Sequence, residues 1–335
     1  MLEQSKNYSQ IQGKSPANPN EVPIPEKDFQ KIRDLIKINE AGDIHNNVSD
    51  KIVEGIEKIF KQASTVPASQ YPELIKLLTE VIKMDRKGMA ADFYDLLSEN
   101  KFPFSTELLR YALDHEMEYN RNYVVFKNYL YSASRGTEAE RILDPFCKIL
   151  FTGKAYNFEI LNKMRGEIEK KNPEGINVPE NIQTTVIHSI KEEARFSMTT
   201  ELALETSVYL NLKAAIPKIR EHIEVQIMKL NSFDVSTLDQ TPSVPSDEEL
   251  IKNNWRAPAA KVRDICVTIE QCAAALYYLT NDNRYKILRE ATKATAGSNE
   301  YGLSEMSEHS WYSADDREFF KKVVQDLKEA TKDLP

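Results

Sequence analysis

Glycine is the scarcest structural resource in this chain, with ten residues in 335. It alone accepts φ > 0 without steric cost, so tight turns, phosphate-cradling loops and nucleophile elbows draw on it. No GxGxxG, GxxxxGK[ST] or GxSxG occurs, which leaves the familiar nucleotide-binding and hydrolase loops without support. The three cysteines, Cys147, Cys266 and Cys272, cannot build a disulfide framework and form no CxxC. They read as small buried hydrophobes in a reducing compartment. Among the five histidines there is no HExxH, and no glutamate stands three residues before a histidine. The Glu-x-x-His device of di-iron bundles is therefore missing. No metal, cofactor or catalytic residue is assigned.

Two further absences concern location. The first 26 residues carry no apolar core segment of a secretory signal and little arginine. No uninterrupted apolar run approaches the roughly 20 residues of a membrane span. These patterns predict a soluble, cytoplasmic protein with no membrane partner. Net charge is −8, with 41% hydrophobic and 29% charged residues. That balance fits a folded protein and argues against a surface that coats nucleic acid everywhere, while allowing a local basic groove.

What is present is helical periodicity. Phe29, Ile32, Ile36 and Ile38 nearly keep one face, Ile52, Val53, Ile56, Ile59 and Phe60 follow, and Leu74, Leu77, Leu78, Val81 and Ile82 repeat the spacing. Pro72, Pro145 and Pro179 stand where helices place a first residue. Thr137-x-x-Glu140 and Ser246-x-x-Glu249 match the capping box. Ser313-x-x-Asp316 opens a terminal amphipathic helix with Phe319, Phe320, Val323, Val324 and Leu327 on one side. Pro179 to about Asn211 holds no internal proline or glycine, predicting one helix of roughly 45–50 Å.

The pattern predicts an all-α fold, a multi-helix array or bundle in helical-hairpin style with one long central helix. Residues 1–25 read as a flexible arm with Pro16, Pro19, Pro23 and Pro25 among polar residues. Residues 26–230 form a helical core domain. Residues 231–246 form an acidic Pro/Ser linker, and 247–335 a C-terminal helical subdomain.

Two clusters carry candidate chemistry. Tyr119 to Tyr131 interleaves aromatics with Arg121, Lys127 and asparagines, a composition that stacks bases and contacts phosphates, or that packs a helix core. Residues 251–295 carry eight Lys/Arg against four Asp/Glu, between two acidic stretches. Their Lys261, Arg263, Arg284, Lys286 and Arg289, with Tyr285, Tyr277 and Tyr278, are the better candidate RNA groove. Asn281-Asp282-Asn283 is a faint echo of a metal–diphosphate motif with no second partner.

The expectation is a non-enzymatic helical scaffold that binds a protein partner or self-assembles. The alternative is an RNA-binding, coat-like subunit using 251–295 and an N-terminal arm. An all-α enzyme of unknown reaction is a third.

Overall fold

The computed structural model describes residues 22–40, 47–62, 65–83, 97, 104–114, 122–151, 158–172, 177–190, 198–239, 258–295, 314–332 and 334. Among these it is all-helical: thirteen α-helices, three short 3₁₀ turns and no strand. The chain divides into two compact units, 1–135 and 136–335. The division differs from the expected break at 231–246. That stretch opens with the last residues of the helix Ile216–Ser232 and continues into an ordered 3₁₀ turn, Val235–Asp239, whose Leu238 is buried. Helices on either side of it pack together in one unit.

The first unit contains α1 (Glu26–Glu40), α2 (Asn47–Gln62), α3 (Tyr71–Lys83), α4 (Ser105–Asp114) and α5 (Asn122–Ser134). The periodic residues Phe29, Ile32, Ile36, Ile52, Ile56, Ile59, Phe60, Leu74, Leu77 and Leu78 are all buried, whereas Ile38 is exposed. Each such apolar side chain is worth about 1.5–3 kcal/mol when fully buried. α1 packs on α2 and α3, and α4 packs on α3 and α5. Arg33 of α1 bridges Glu26 and Glu73 of α3. The end of the expected arm is tied down: Val22 N–H donates to Thr65 O (2.9 Å), and Gln70 exchanges two hydrogen bonds with the Ile24 backbone (2.8 and 2.9 Å). Residues 1–21 lie outside the described residues.

The second unit contains α6 (Glu140–Phe151), α7 (Phe158–Lys171), α8 (Glu180–His188), α9 (Met198–Tyr209), α10 (Ile216–Ser232), α11 (Pro258–Thr280), α12 (Asn283–Thr295) and α13 (Ala314–Ala330). Gly136, at φ 71°, makes the turn that opens it. Glu140 accepts from Gly136 N–H (2.8 Å), a variant of the expected capping box with its carboxylate reaching one residue further back. The turn also corrects the expected role of Pro145. Because the turn, not the proline, starts α6, Pro145 sits at the helix's sixth residue, one turn inside. Pro179 does stand at the start of α8, and the capping motif at Ser246 lies outside the described residues.

The long helix from Pro179 to Asn211 is not formed. α8 stops at His188, where the Ser189 hydroxyl donates to Thr185 O (2.8 Å) and Ile190 N–H bonds three residues back to Ile187 O. The run Thr184–Thr185–Val186–Ile187 is β-branched throughout, and β-branching lowers helix propensity. The longest described helix is α11, with 23 residues.

α9 lies at the centre of this unit, against α7, α8 and α11. Leu202 to Leu210 are buried without interruption. Thr206 and Ser207 satisfy their hydroxyls on Leu202 O and Ala203 O (2.6 and 2.7 Å). Tyr209 stacks on Phe146 of α6 (centroids 4.5 Å) and donates to Ile142 O (2.7 Å). α10 and α11 form the most extensive helix pair, and α12 and α13 complete the layer, with Val323, Val324 and Leu327 buried. All three cysteines are free and buried, and burial pushes the Cys266 and Cys272 thiols up.

One residue of α9 conflicts with its surroundings. Glu205 is fully buried, neither carboxylate oxygen has a hydrogen-bond partner, and burial followed by Glu201 raises its pKa well above the ordinary range. A raised folded-state pKa contributes stability that is present below the unfolded value and is lost as pH rises toward the folded value. Replacing Glu205 by the apolar Met is therefore expected to stabilise the protein. The gain should grow from about pH 4.5 upward by up to ~1.4 kcal/mol per pH unit. Urea midpoints at pH 4.5 and 7.5 check this, and a pH-independent difference would contradict it.

Candidate functional site

The eight candidate nucleic-acid contacts are dispersed. Arg121 and the Arg263 side chain lie outside the described residues. Lys127 is buried in α5 at 4% exposure, and Tyr285 in α12 at 3%, so neither offers a surface to a ligand. The α5 cluster has the character of a core helix, with Val125 to Leu130 buried in succession. Lys261 is exposed in the first turn of α11, 18 residues and therefore about 27 Å along the axis from Leu279. The basic block is thus not one groove. Its second half, Arg284, Lys286 and Arg289, lies on α12 beside the C-terminal end of α11.

At that end the chain builds a corner. α9 and α11 both finish with an asparagine in the left-handed region, Asn211 (φ 53°) and Asn281 (φ 58°). Asparagine tolerates this conformation better than other non-glycine residues, and it is a recognised helix-ending residue. Asn281 N–H closes on Tyr277 O (2.7 Å), and Leu210 N–H on Thr206 O (2.9 Å). The last carbonyls of a helix have no intrahelical donor and carry the negative end of its dipole.

Backbone donors answer part of them, Leu212 N–H on Ser207 O (2.9 Å) and Asn211 N–H on Val208 O (3.2 Å), and cations add to these. Arg165 of α7 reaches Val208 O of α9 (3.5 Å) and Tyr278 O of α11 (3.4 Å) with one nitrogen. Lys213, in the 3₁₀ turn Lys213–Ala215, donates to Leu279 O. Glu169 is the local counter-charge: it lies 3.5 Å from Arg165 Nε and accepts from Asn211 Nδ2 (3.1 Å). The approach to Arg165 is an ion pair rather than a hydrogen bond, since the buried Nε has no acceptor. Desolvation and then the neighbouring Arg165 hold the Lys213 ammonium below the ordinary lysine range. The corner therefore carries positive charge that Glu169 does not fully compensate.

Aromatics line the same place. Tyr278 stacks with Phe158 (6.4 Å) and lies under the Arg289 guanidinium (5.9 Å). Tyr277 meets Tyr278 edge-on at 5.1 Å, and both tyrosines are half-buried. Asp282 caps α12 by accepting from Arg284 N–H (3.0 Å) and grips the Arg284 guanidinium at 2.7–3.2 Å. Those bonds lower its pKa, with Arg220 adding to the effect. The Asn281-Asp282-Asn283 run is thus punctuation between two helices, ending α11 and starting α12.

Sequence reasoning found Tyr277, Tyr278, Arg284 and Arg289 but missed Arg165, Lys213 and Arg220. The available signal was the pair of asparagines: a predicted helix end needs donors for its carbonyls, and lone cations on other helices supply them. Among the described residues no group of three or more His, Cys, Asp or Glu is placed to hold a metal ion. No described helix is long and apolar enough to cross a membrane. Comparison with protein-family models, curated proteins and solved structures finds nothing that matches this chain.

The left-handed geometry at Asn281 predicts an asymmetric mutational response. Asn281→Ala is expected to lose up to about 1 kcal/mol, because alanine keeps the Cβ that makes this region unfavourable and lacks the short polar side chain whose local hydrogen bonding lets asparagine tolerate it. Asn281→Gly should stay within a few tenths of wild type. Chemical denaturation of both variants measures the difference.

Proposed function

We propose that this chain is a non-enzymatic helical scaffold whose outer helices bind a protein partner or a second copy of the chain. The observation that carries the reading is a set of apolar side chains left in water on three outer helices of the second unit. Ile160 of α7, Met228 of α10 and Ile287 of α12 are 52%, 63% and 62% exposed. Association through these side chains would bury apolar surface that folding leaves wet. The three buried free thiols support a reducing, cytoplasmic setting.

A second reading is favoured by one specific observation. The convergence of Arg165, Lys213, Arg220, Arg284 and Arg289 around Tyr277 and Tyr278 suits a coat-like subunit that binds RNA at this corner.

The scaffold reading expects mass to rise with concentration in light-scattering chromatography between about 1 and 100 μM, the range of modest interfaces. Met228→Glu and Ile287→Glu should shift that association toward monomer without changing the helical circular-dichroism spectrum. A strictly monomeric wild type with no purified protein partner would count against it. For the second reading, material freed of nucleic acid should regain RNA in a salt-sensitive manner.

A further inference from the structure

We propose that the corner where α9 and α11 end is a binding site for single-stranded RNA, with a base on Tyr277 and phosphates on Lys213, Arg220 and Arg289. Asp282 acts there as an internal substitute for phosphate that holds Arg284. The inference rests on the RNA-binding reading above and adds the form of the strand, the residues and the competing group.

The division of labour between the two tyrosines follows from their neighbours. Tyr278 is committed: Phe158 and Arg289 occupy its surroundings, and its carbonyl is taken by Arg165. Tyr277 meets Tyr278 edge-on and is half-buried, and the base is assigned to the part of Tyr277 that stays in water. A single ring beside helix ends suits an unpaired base, because paired bases in a duplex present only their edges.

The charges supply the backbone contacts. Lys213 and Arg220 are exposed, and Lys286 lies exposed one turn before Arg289 on α12. Lys213 and Arg165 are like charges held close at one place, so an arriving phosphate relieves a repulsion already present. Counterion release upon phosphate contact then makes binding strongly salt-dependent.

Asp282 presents to Arg284 what a phosphate would present: two oxygens within 2.7–3.2 Å of the guanidinium nitrogens. Arginine forks accept carboxylate and phosphate in the same bidentate geometry. A strand that engages Arg284 must displace the carboxylate. Neutralising Asp282 removes the competitor, and asparagine caps a helix as well as aspartate does, so Asp282→Asn spares the fold of α12.

The test is fluorescence anisotropy of the full chain, freed of nucleic acid, with a labelled 12-nucleotide oligouridine, a 12-base-pair RNA duplex and polyglutamate, at 50–200 mM salt. The expected result is preference for oligouridine. Tyr277→Ala should weaken binding by about tenfold, the scale of losing one stacked base, and Tyr277→Phe should restore it. Lys213→Gln/Arg220→Gln should reduce the log–log salt slope by about 0.7 for each cation removed. Asp282→Asn should tighten binding several-fold. Lys261→Gln, at the far end of α11, should change little.

Failure of the wild type to bind any RNA would sink the RNA-binding reading itself. Oligouridine binding that ignores the Tyr277 and Lys213/Arg220 variants but responds to Lys261→Gln would leave that reading standing and overturn the corner. Equal affinity for the duplex would overturn base stacking, and equal affinity for polyglutamate would reassign the site to an acidic protein partner. Unchanged or weaker binding by Asp282→Asn would overturn its role as competitor.

Discussion

The second unit depends on how two helix ends are neutralised in one place. α9 is enclosed by neighbours and α11 is the longest described helix, and both stop at the same corner. Two sets of terminal carbonyls pointing into a partly desolvated region cannot be left without donors. Arg165 joins the two ends by donating to a carbonyl from each, and Lys213 adds a donor to α11. Positive charge is therefore concentrated there for a reason internal to the fold. Arg165 is thus tied to the stability of the fold more closely than the more exposed Lys213 and Arg220.

Glu205 represents the opposite solution. On α9, the hydroxyls of Thr206 and Ser207 settle their polarity locally on backbone carbonyls, yet the carboxylate of Glu205 finds no hydrogen-bond partner. Thr206 and Ser207 show that this segment accommodates polar atoms where geometry gives them an acceptor. When ionised, Glu205 has acceptor oxygens and no donor, and every backbone N–H in mid-helix is already used. Protonation is the remaining way to lower the cost of its burial. The core is thus best packed when this group is neutral.

How much of this was legible in the sequence depends on the range of the interactions involved. Local periodicity placed Ile52, Ile56, Leu74, Leu77 and Val323 in the core, and the all-α class followed from such residues. The break at Ser189 escaped notice because no proline or glycine marks it; a β-branched run and a side-chain hydroxyl end α8 instead. Pro145 misled because the helix starts at Glu140, so the proline lies inside α6, where it lacks the N–H of one i→i−4 bond, rather than at the first position. The basic block looked continuous along the chain, but a helix of 23 residues separates Lys261 from Arg284 by most of its length. Arg165 was invisible because its partners lie 43 and 113 residues away and are backbone atoms, which carry no sequence signature.

The same reasoning bears on the scarcity of glycine. A helix can end on glycine at little cost, but a glycine carries no side chain with which to hold a neighbour. Asn211 ends α9 and, through its amide, also positions Glu169, the carboxylate that moderates Arg165 and Lys213. A glycine there would relieve the backbone and leave that carboxylate without its tether. Helix termination by asparagine thus does two things at this corner: it turns the chain, and it fixes how much positive charge remains uncompensated. The chain's sparing use of glycine is consistent with helix ends that also hold charged groups in place.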